Sequence, residues 1–226
     1  MPVTELAHLH LKNNLPLTHP TNKTTATKLR AGIKAQAQYS NADTYLLTQI
    51  EDPSHIYILG KWVSVEQHVQ EWIPSARNQE IMGGLGDGVE VIWLQHVDLS
   101  VDSALGGSGR AGAEGDERIP YSAPVVAIGR YFISSLDKAG FERTFAEMRH
   151  YLEEFQGPRK VVGGWRVDKE VDEKDEAKEE FVQFTGWENV EEHSSFGQTE
   201  GFEEFGRIRD FLQGAEIKHA EWTFKA

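Results

Sequence analysis

The chain contains no cysteine among its 226 residues. This absence excludes disulfide bonds, thiolate catalysis, and zinc or iron–sulfur sites built on cysteine. No run of about eighteen apolar residues occurs, and the N-terminal segment lacks the basic start and apolar core of a signal peptide. We therefore expect a soluble intracellular protein, with the cytoplasm as its compartment, whose fold depends on packing alone.

Basic clusters are missing as well. The net charge is −13, and no stripe of lysine and arginine interrupts it. Such a surface repels phosphate backbones and anionic lipids, so neither nucleic acid nor a membrane is an expected partner. The 39% hydrophobic residues and six tryptophans are sufficient for a buried core.

An internal repeat is the strongest pattern that the sequence does contain. GKWVSVEQH ends at His68 and TGWENVEEH ends at His193, with a common W-x-[SN]-V-E-x-H core. The four identical positions in the first copy recur in the second at a constant offset of 125: Trp62, Val65, Glu66 and His68 match Trp187, Val190, Glu191 and His193. GVEVIWLQH and GAEIKHAEW correspond further on, at an offset of 126. We interpret the halves as diverged copies of one unit.

The same order of elements is predicted in each half. Alternating or apolar segments indicate strands, stripes at helical spacing indicate helices, and Ser64/Gln67 and Asn189/Glu192 form two equivalent capping boxes. The first half has strands at 6–12, 44–50, 55–62 and 89–99 and helices at 24–38 and 65–73. In the second half, strands are expected at 125–133, 159–167, 180–187 and 215–224, with a helix that aligns Phe141, Phe145, Met148 and Leu152, and another after Asn189.

This β-α-β-β-α-β order predicts an α+β protein made of two ferredoxin-like repeats. Helices would cover one face of each sheet only, so we expect the two copies to bury their other faces in a single-chain pseudo-dimeric α/β barrel. The predicted boundaries are 1–98 for the first repeat, 99–122 for a glycine-rich linker and 123–226 for the second repeat. The acidic run 168–180 reads as a solvated hairpin tip, with a cation site as the alternative.

With this order and the placement of the W-x-[SN]-V-E-x-H segment at a strand-to-helix junction, the chain resembles the dimeric α/β-barrel superfamily. It is most similar to antibiotic-biosynthesis-type monooxygenases, and next to stress-responsive barrel proteins that include plant olivetolic acid cyclase. The resemblance covers both halves, about 200 residues, without the linker. It implies a ligand cavity in each unit between the sheet and the two helices.

The resemblance also implies roles for particular residues. LAHLHL and SHIYIL resemble the first and third strands of the cyclase branch, which places His8 and His55 at cavity histidines. Trp72 falls near the helix aromatic of that branch. At the position of the histidine that acts as the base in that branch, this chain has Arg77 or Asn78, which departs from the cyclase pattern. The haem-degrading branch carries its iron ligand about ten residues after the strand-3 tryptophan, whereas His68 and His193 follow theirs by six.

Several roles remain open for these histidines. His68 and its counterpart His193 are either general bases or ligand anchors, or core histidines that hold the helix on the sheet. His8 and His10 share one strand face, and with His55 they line a polar cavity, bind a metal, or belong to the surface or core.

We predict His8, His55 and His68 as catalytic residues and no metal site. His10, Trp62, Trp72, Asn78 and Trp93 are predicted to bind substrate, since indole walls suit a flat aromatic molecule. The second half has Arg130 and Tyr131 where the first has histidines, so the first half is the expected catalytic half.

The leading functional hypothesis is a small cofactor-independent enzyme that oxygenates, cyclises or isomerises a hydrophobic aromatic or polyketide-like molecule. An imidazole would remove an acidic proton inside an apolar cavity. A non-catalytic ligand-binding barrel protein is the alternative, and a haem-binding protein is the third hypothesis. The glycines in IMGGLGDGVE follow a helix and precede a strand, which indicates a helix cap and turn rather than a phosphate-binding loop.

Overall fold

The computed structural model describes residues 1–99, 120, 122–157, 161–168 and 178–226, without the side chain of Asp87. Most of the predicted linker and the centre of the acidic run lie outside the described residues. The chain divides into two compact units, Met1–Asp98 with Ala220–Ala226, and Leu99–His219. Within the described part of the chain, no helix has both the length and the apolar character needed to cross a membrane.

The first unit is a four-stranded antiparallel sheet with helices. Its strand order is β4-β1-β3-β2, and the end of the last strand of the chain, β8, pairs with β2. The elements are β1 Val3–Leu11, a 3₁₀ turn Pro20–Asn22, α1 Lys23–Ser40, β2 Thr44–Gln49, β3 His55–Trp62, a π-helical segment Gln67–Trp72, α2 Ala76–Leu85, a 3₁₀ turn Gly86–Gly88 and β4 Val89–Asp98.

The second unit has the corresponding strand order, β8-β5-β7-β6. The antiparallel pairs β5–β7 and β6–β7 are regular along their whole lengths. The elements are β5 Val125–Ser134, α3 Lys138–Gln156, β6 Val161–Arg166, β7 Lys178–Trp187, α4 Val190–Phe196, α5 Glu200–Phe205, a 3₁₀ helix Gly206–Phe211 and β8 Leu212–Lys225.

Each sheet has a helix-covered face with an apolar core. In the first unit, Ala7, Leu9 and Leu11 of β1 pack with Leu29 and Ile33 of α1. In the second unit, the core combines the α3 residues Phe141, Phe145 and Leu152 with β5, β7, α4 and α5. The predicted stripe on α3 is thus the packing face of that helix, as its 3.6-residue period requires.

The segment after β3 departs from the predicted α-helix. The Ile73 N–H donates to the His68 carbonyl at 2.9 Å, an i→i+5 bond that widens the turn. His68 and Trp72 are buried, but Val69, which an α-helix over 65–73 would place on the same face as Trp72, is 42% exposed. The wider turn rotates Val69 away from the core, because side chains on a π-helix do not follow the α-helical period.

The α+β class is confirmed, and the pairing register relates the two sheets residue by residue. Val3 lies opposite Trp62, and Val125 lies opposite Trp187. β1 therefore corresponds to β5 at an offset of 122, and β3 to β7 at an offset of 125. The pseudo-dimeric barrel and the predicted domain boundaries stay predictions.

Candidate functional site

The repeated motif forms the same three-ring arrangement in both units. His68 stacks on Trp62 with ring centroids 4.2 Å apart, and its Nδ1 lies 2.7 Å from Nε2 of His96. His193 stacks on Trp187 at 4.2 Å, and its Nδ1 lies 2.7 Å from Nε2 of His219. Each pair of histidines meets edge to face, at 75° and 70°. His96 thus corresponds to His219 in the structure. The sequence alignment at offset 126 instead pairs His96 with Trp222, three residues further along the chain.

A buried carboxylate completes the cluster in the first unit. Oε2 of Glu5 accepts hydrogen bonds from Trp62 Nε1 at 2.8 Å and from Gln36 Nε2 at 2.5 Å. It lies 3.7 Å from His68 Nε2, and Glu5 is directly opposite His96 in the β1–β4 register. Burial raises the pKa of Glu5 to about 7, although the two hydrogen bonds and His96 oppose the rise. Glu5 is therefore poised to exchange a proton near neutral pH.

The other predicted histidines lie on the opposite face of the first sheet. Nε2 of His8 is 2.8 Å from Nδ1 of His55, and the His10 ring stacks on His55 at 4.6 Å. Trp93, the β4 partner of His8, meets it edge to face at 5.2 Å. Because side chains alternate along a strand, His8 and His10 face away from the helices that cover Ala7 and Leu9.

The predicted site residues consequently form two groups. Trp62, His68 and Trp72 lie on the helix-covered face, and His8, His10, His55 and Trp93 lie on the other face. The expectation that His8 and His55 line a cavity between the sheet and the helices is therefore corrected, because the strand register turns them the other way. Their catalytic role stays a prediction.

Trp72 and Asn78 are engaged in packing and capping. Trp72 is 3% exposed, with Tyr39 at 5.1 Å and Trp62 at 6.3 Å between ring centroids. The Asn78 side chain donates from Nδ2 to the Ile73 carbonyl at 2.9 Å. Asn78 thereby caps the end of the π-helical segment, and its role in binding substrate stays a prediction.

A cavity of about 190 Å³ lies in the second unit, between the sheet and helices α3 to α5. Its walls are mainly apolar, with the phenylalanines of α4 and α5 on one side and small residues of β5 on the other. The lining comprises Ala127, Gly129, Tyr131, Leu152, Gln183, Thr185, His193, Phe196, Phe202, Phe205, Gly206, Ile208, Arg209, Leu212, Ala215 and Ile217. This is the position that the family resemblance implies, but in the half that the sequence did not favour.

Polar groups enter this cavity at few points. The Tyr131 hydroxyl donates to Gln183 Oε1 at 2.8 Å, and burial holds the pKa of Tyr131 well above its usual range. Nε2 of Gln183 is buried and has no hydrogen-bond partner among the described residues. The Thr185 hydroxyl is occupied, because it accepts from Trp187 Nε1 at 2.8 Å.

His193 is the titratable base that lines the cavity. Burial, with a smaller contribution from His219, lowers the pKa of His193 to about 4. Its ring is thus neutral at pH 7. When Nδ1–H donates to His219, Nε2 carries the lone pair, and within the described residues no hydrogen bond occupies it. The chemistry available here is proton acceptance inside an apolar cavity.

The two units have different residues at two corresponding positions beside the tryptophan of the motif. Glu5 and Gly60 of the first unit correspond to Ala127 and Thr185 of the second. A Cβ at Gly60 would lie 2.7 Å from Glu5 Oε2 and 2.5 Å from Gln36 Nε2, so glycine is needed beside the carboxylate. With alanine in place of glutamate, Thr185 supplies the acceptor for the tryptophan, and space opens over β5.

Sequence reasoning missed Glu5, Gln183 and His219. Glu5 was missed because the predicted first strand begins at residue 6, whereas β1 begins at Val3 and so includes this carboxylate. His219 was missed because the alignment at offset 126 paired His96 with Trp222. Gln183 gave no signal, since nothing in EFVQFTGW shows which face of β7 is adjacent to a cavity.

The metal hypothesis for the three first-unit histidines finds no geometric support. Among the residues that the structure describes, no group of three or more histidine, aspartate or glutamate side chains is arranged to hold a metal ion. Instead, His10 Nε2 is 2.9 Å from Asn14 Oδ1, and His8 is bonded to His55.

No family model matches the chain, and no curated protein shows significant sequence similarity. Solved structures are similar over nearly its whole length. An anthrone oxidase-like protein has a TM-score of 0.64 at 10% identity, with 99% of this chain and 92% of that chain covered. A proposed monooxygenase of Fusobacterium nucleatum has a TM-score of 0.62 at 9% identity, with 99% and 93% covered.

A chlorite dismutase variant of Candidatus Nitrospira defluvii has a TM-score of 0.59 at 10% identity, with 99% and 91% covered. At these identities, the similarity shows a shared fold.

Haem does not fit the second-unit cavity. Its volume of about 190 Å³ is below the range of roughly 300–1,000 Å³ that is typical for drug-sized ligands.

Proposed function

We propose that the protein is a small oxygenase-like enzyme that binds a compact aromatic molecule in the second-unit cavity. The observation that carries this proposal is His193, a neutral imidazole in an apolar cavity, backed by a second histidine. The names of two similar folds, an anthrone oxidase-like protein and a proposed monooxygenase, support oxygenation as the reaction.

In the proposed reaction, Nε2 of His193 removes a proton from a phenol or from a carbon next to a carbonyl. In the tautomer in which Nδ1–H donates to His219, that hydrogen bond orients the ring and leaves Nε2 free to take the proton. The low pKa of His193 keeps the base unprotonated before substrate binds, and the apolar walls shield the anion from water. With anthrone, the carbanion reduces dissolved dioxygen; one oxygen atom becomes the new carbonyl of anthraquinone, and the other leaves as water.

Tyr131 and Gln183 would orient the substrate. Their mutual hydrogen bond leaves the Gln183 amide N–H available for a carbonyl or phenolate oxygen of the ligand. A negative charge that develops on that oxygen would then be stabilised by a donor that is already in place. Cyclisation and isomerisation begin from the same carbanion, so they remain alternatives within this proposal.

The repeat belongs to the proposal too. We infer that the chain consists of two diverged copies of one ferredoxin-like unit, fused as a single-chain pseudo-dimer, in which the second copy carries the substrate cavity. The shared strand order and the two Trp-His-His arrangements support this inference. The ligand that the protein would bind is a small aromatic molecule.

The test is oxygen uptake and anthraquinone formation from anthrone, without added cofactor. We expect His193→Ala to lower kcat/KM about a hundredfold or more, since a positioned general base contributes that much. His150→Ala is the matched control, because that exposed histidine lies outside the cavity lining and contacts Glu147 and Tyr151 of its own helix α3.

His8→Ala and His55→Ala separate this proposal from the prediction made from sequence. Loss of turnover in those variants, with His193→Ala fully active, would move catalysis to the opposite face of the first sheet. Tight binding of anthrone without any turnover would instead favour the ligand-binding alternative.

A further inference from the structure

An arginine lies at the exposed edge of the second-unit cavity. Cζ of Arg209 is 4.5 Å from the centroid of the Phe202 ring. Its guanidinium also crosses Gly206, where an added Cβ would be 2.5 Å from Nη2. Both Phe202 and Gly206 line the cavity together with Arg209. The glycine thus allows the cation to lie flat along the cavity wall, held by the aromatic face.

Arg209 makes no ion pair with a carboxylate among the described residues, although the chain has 36 acidic residues and a net charge of −13. Arg207, two residues earlier, lies 3.9 Å from Glu204. Arg130 on β5 pairs with Glu180 and Glu216. The guanidinium beside the cavity therefore keeps its bidentate donor edge available for a ligand.

A second unused donor lies deeper in the same cavity. Nε2 of Gln183 is buried without a hydrogen bond within the described residues, while its Oε1 accepts from Tyr131. A buried donor left unsatisfied is costly, and a ligand oxygen would remove that cost. Between Gln183 and Arg209, the walls are apolar, with Phe196, Phe205 and Ile208 among them.

We propose that the cavity selects an aromatic carboxylate, with its anionic group on Arg209, its ring among the phenylalanines and an oxygen acceptor on Gln183. This inference rests on the proposed function only in placing the substrate in the same cavity. Arginine and a carboxylate form paired hydrogen bonds that a neutral ester does not match. The overall negative charge of the protein repels anions, so Arg209 supplies the local attraction that selects them.

The test is equilibrium binding of two fluorescent probes, 6-hydroxy-2-naphthoate and its neutral methyl ester. We expect Arg209→Gln to weaken the naphthoate about tenfold or more and the ester by less than about twofold. Arg209→Lys should recover part of the loss. Arg207→Gln is the matched control, since that exposed arginine is paired outside the cavity lining, and it should bind both probes as the unmodified chain does.

Ala127→Leu locates the probes, because a larger side chain on β5 fills the cavity and should abolish binding of both. Naphthoate binding that survives Ala127→Leu, or that falls no more than ester binding in Arg209→Gln, would overturn the inference. Binding is measured without turnover. Naphthoate that binds through Arg209 while His193→Ala leaves turnover unchanged would therefore support this inference and contradict the proposed function.

Discussion

The two units share strand order and the Trp-His-His arrangement, but they differ in what fills the space over the first strand. In the first unit, Glu5 and Gln36 occupy it, and the carboxylate accepts the indole N–H. In the second, Ala127 and Thr185 leave a cavity, and the threonine accepts the indole N–H instead. The acceptor of the indole N–H thus lies on β1 in the first unit and on β7 in the second. Where the acceptor lies on β7, a cavity takes the place of the buried polar cluster.

The two units also differ on the sheet face that lies opposite the helices. The first unit has His8 bonded to His55. At the corresponding positions, the second unit has Arg130 and Glu180, whose Nε and Oε1 atoms are 2.5 Å apart. The first unit thus has a hydrogen-bonded pair of imidazoles at the positions where the second unit has an ion pair.

The largest effect is expected when the carboxylate is placed in the second unit. Ala127→Glu should lower the free energy of unfolding at pH 7 by about 3 kcal/mol, because the carboxylate is buried where Trp187 Nε1 already donates to Thr185. Urea unfolding measures this loss, and probe binding should disappear. Adding Thr185→Gly frees Trp187 Nε1 to donate to the new carboxylate, as Trp62 does to Glu5. A double variant no more stable than Ala127→Glu would contradict the equivalence of the two positions.

Removing one partner of each pair on these opposite faces should distinguish the ion pair of the second unit from the hydrogen-bonded histidines of the first. Glu180→Gln is expected to cost about 3 kcal/mol, since Arg130 and Arg166 both lie within ion-pair distance of this buried carboxylate. His55→Gln should cost only about 1 kcal/mol, the net value of a typical hydrogen bond. Chemical denaturation of the two variants at pH 7 measures both. Equal losses would show that the two histidines are more tightly coupled than a typical hydrogen-bonded pair.

The buried carboxylate predicts a pH dependence that belongs to the first unit. Its pKa is about 7 in the folded chain and 4.5 in the reference state, so the native state binds the proton more tightly. The stabilisation is complete below about pH 4.5 and declines as the pH rises through 7, by roughly 3 kcal/mol in total. Glu5→Gln should remove this decline, which unfolding at pH 5 and pH 8 would reveal. A slope that persists in Glu5→Gln would assign the effect to another group.

The smallest effect should be the same in both units. Ser64 accepts from the Gln67 N–H, and Asn189 accepts from the Glu192 N–H, at 3.2 and 2.8 Å. Replacing either cap by alanine should cost about 1 kcal/mol. Ser194→Ala, which removes a hydroxyl bonded within α4, is the control and should change stability by less than about 0.5 kcal/mol. A loss of stability in thermal unfolding that differs severalfold between Ser64→Ala and Asn189→Ala would contradict the equivalence of the two caps.

Much of the local structure could be predicted from the sequence. β3 begins at His55 and ends at Trp62 as expected, and Ser64 and Asn189 cap the segments that follow the two tryptophans. These features depend on neighbouring residues, so the pattern contains them. The π-helical turn at His68 was not predicted, because a single i→i+5 bond leaves no trace in an apolar stripe that reads as α-helical.

The sequence by itself determined the α+β class and the recurrence of the W-x-[SN]-V-E-x-H motif with its tryptophan and histidine, because periodicity, capping and identity at one offset are local properties. Only the tertiary structure decided which unit has the cavity. Glu5 on β1 and Ala127 on β5 occupy corresponding positions, and the space that each side chain fills or leaves open depends on the strand and helix packed beside it. The tertiary structure also decided that His8 and His68 face opposite ways, since the register of β1 against β3 assigns every side chain to one face of the sheet.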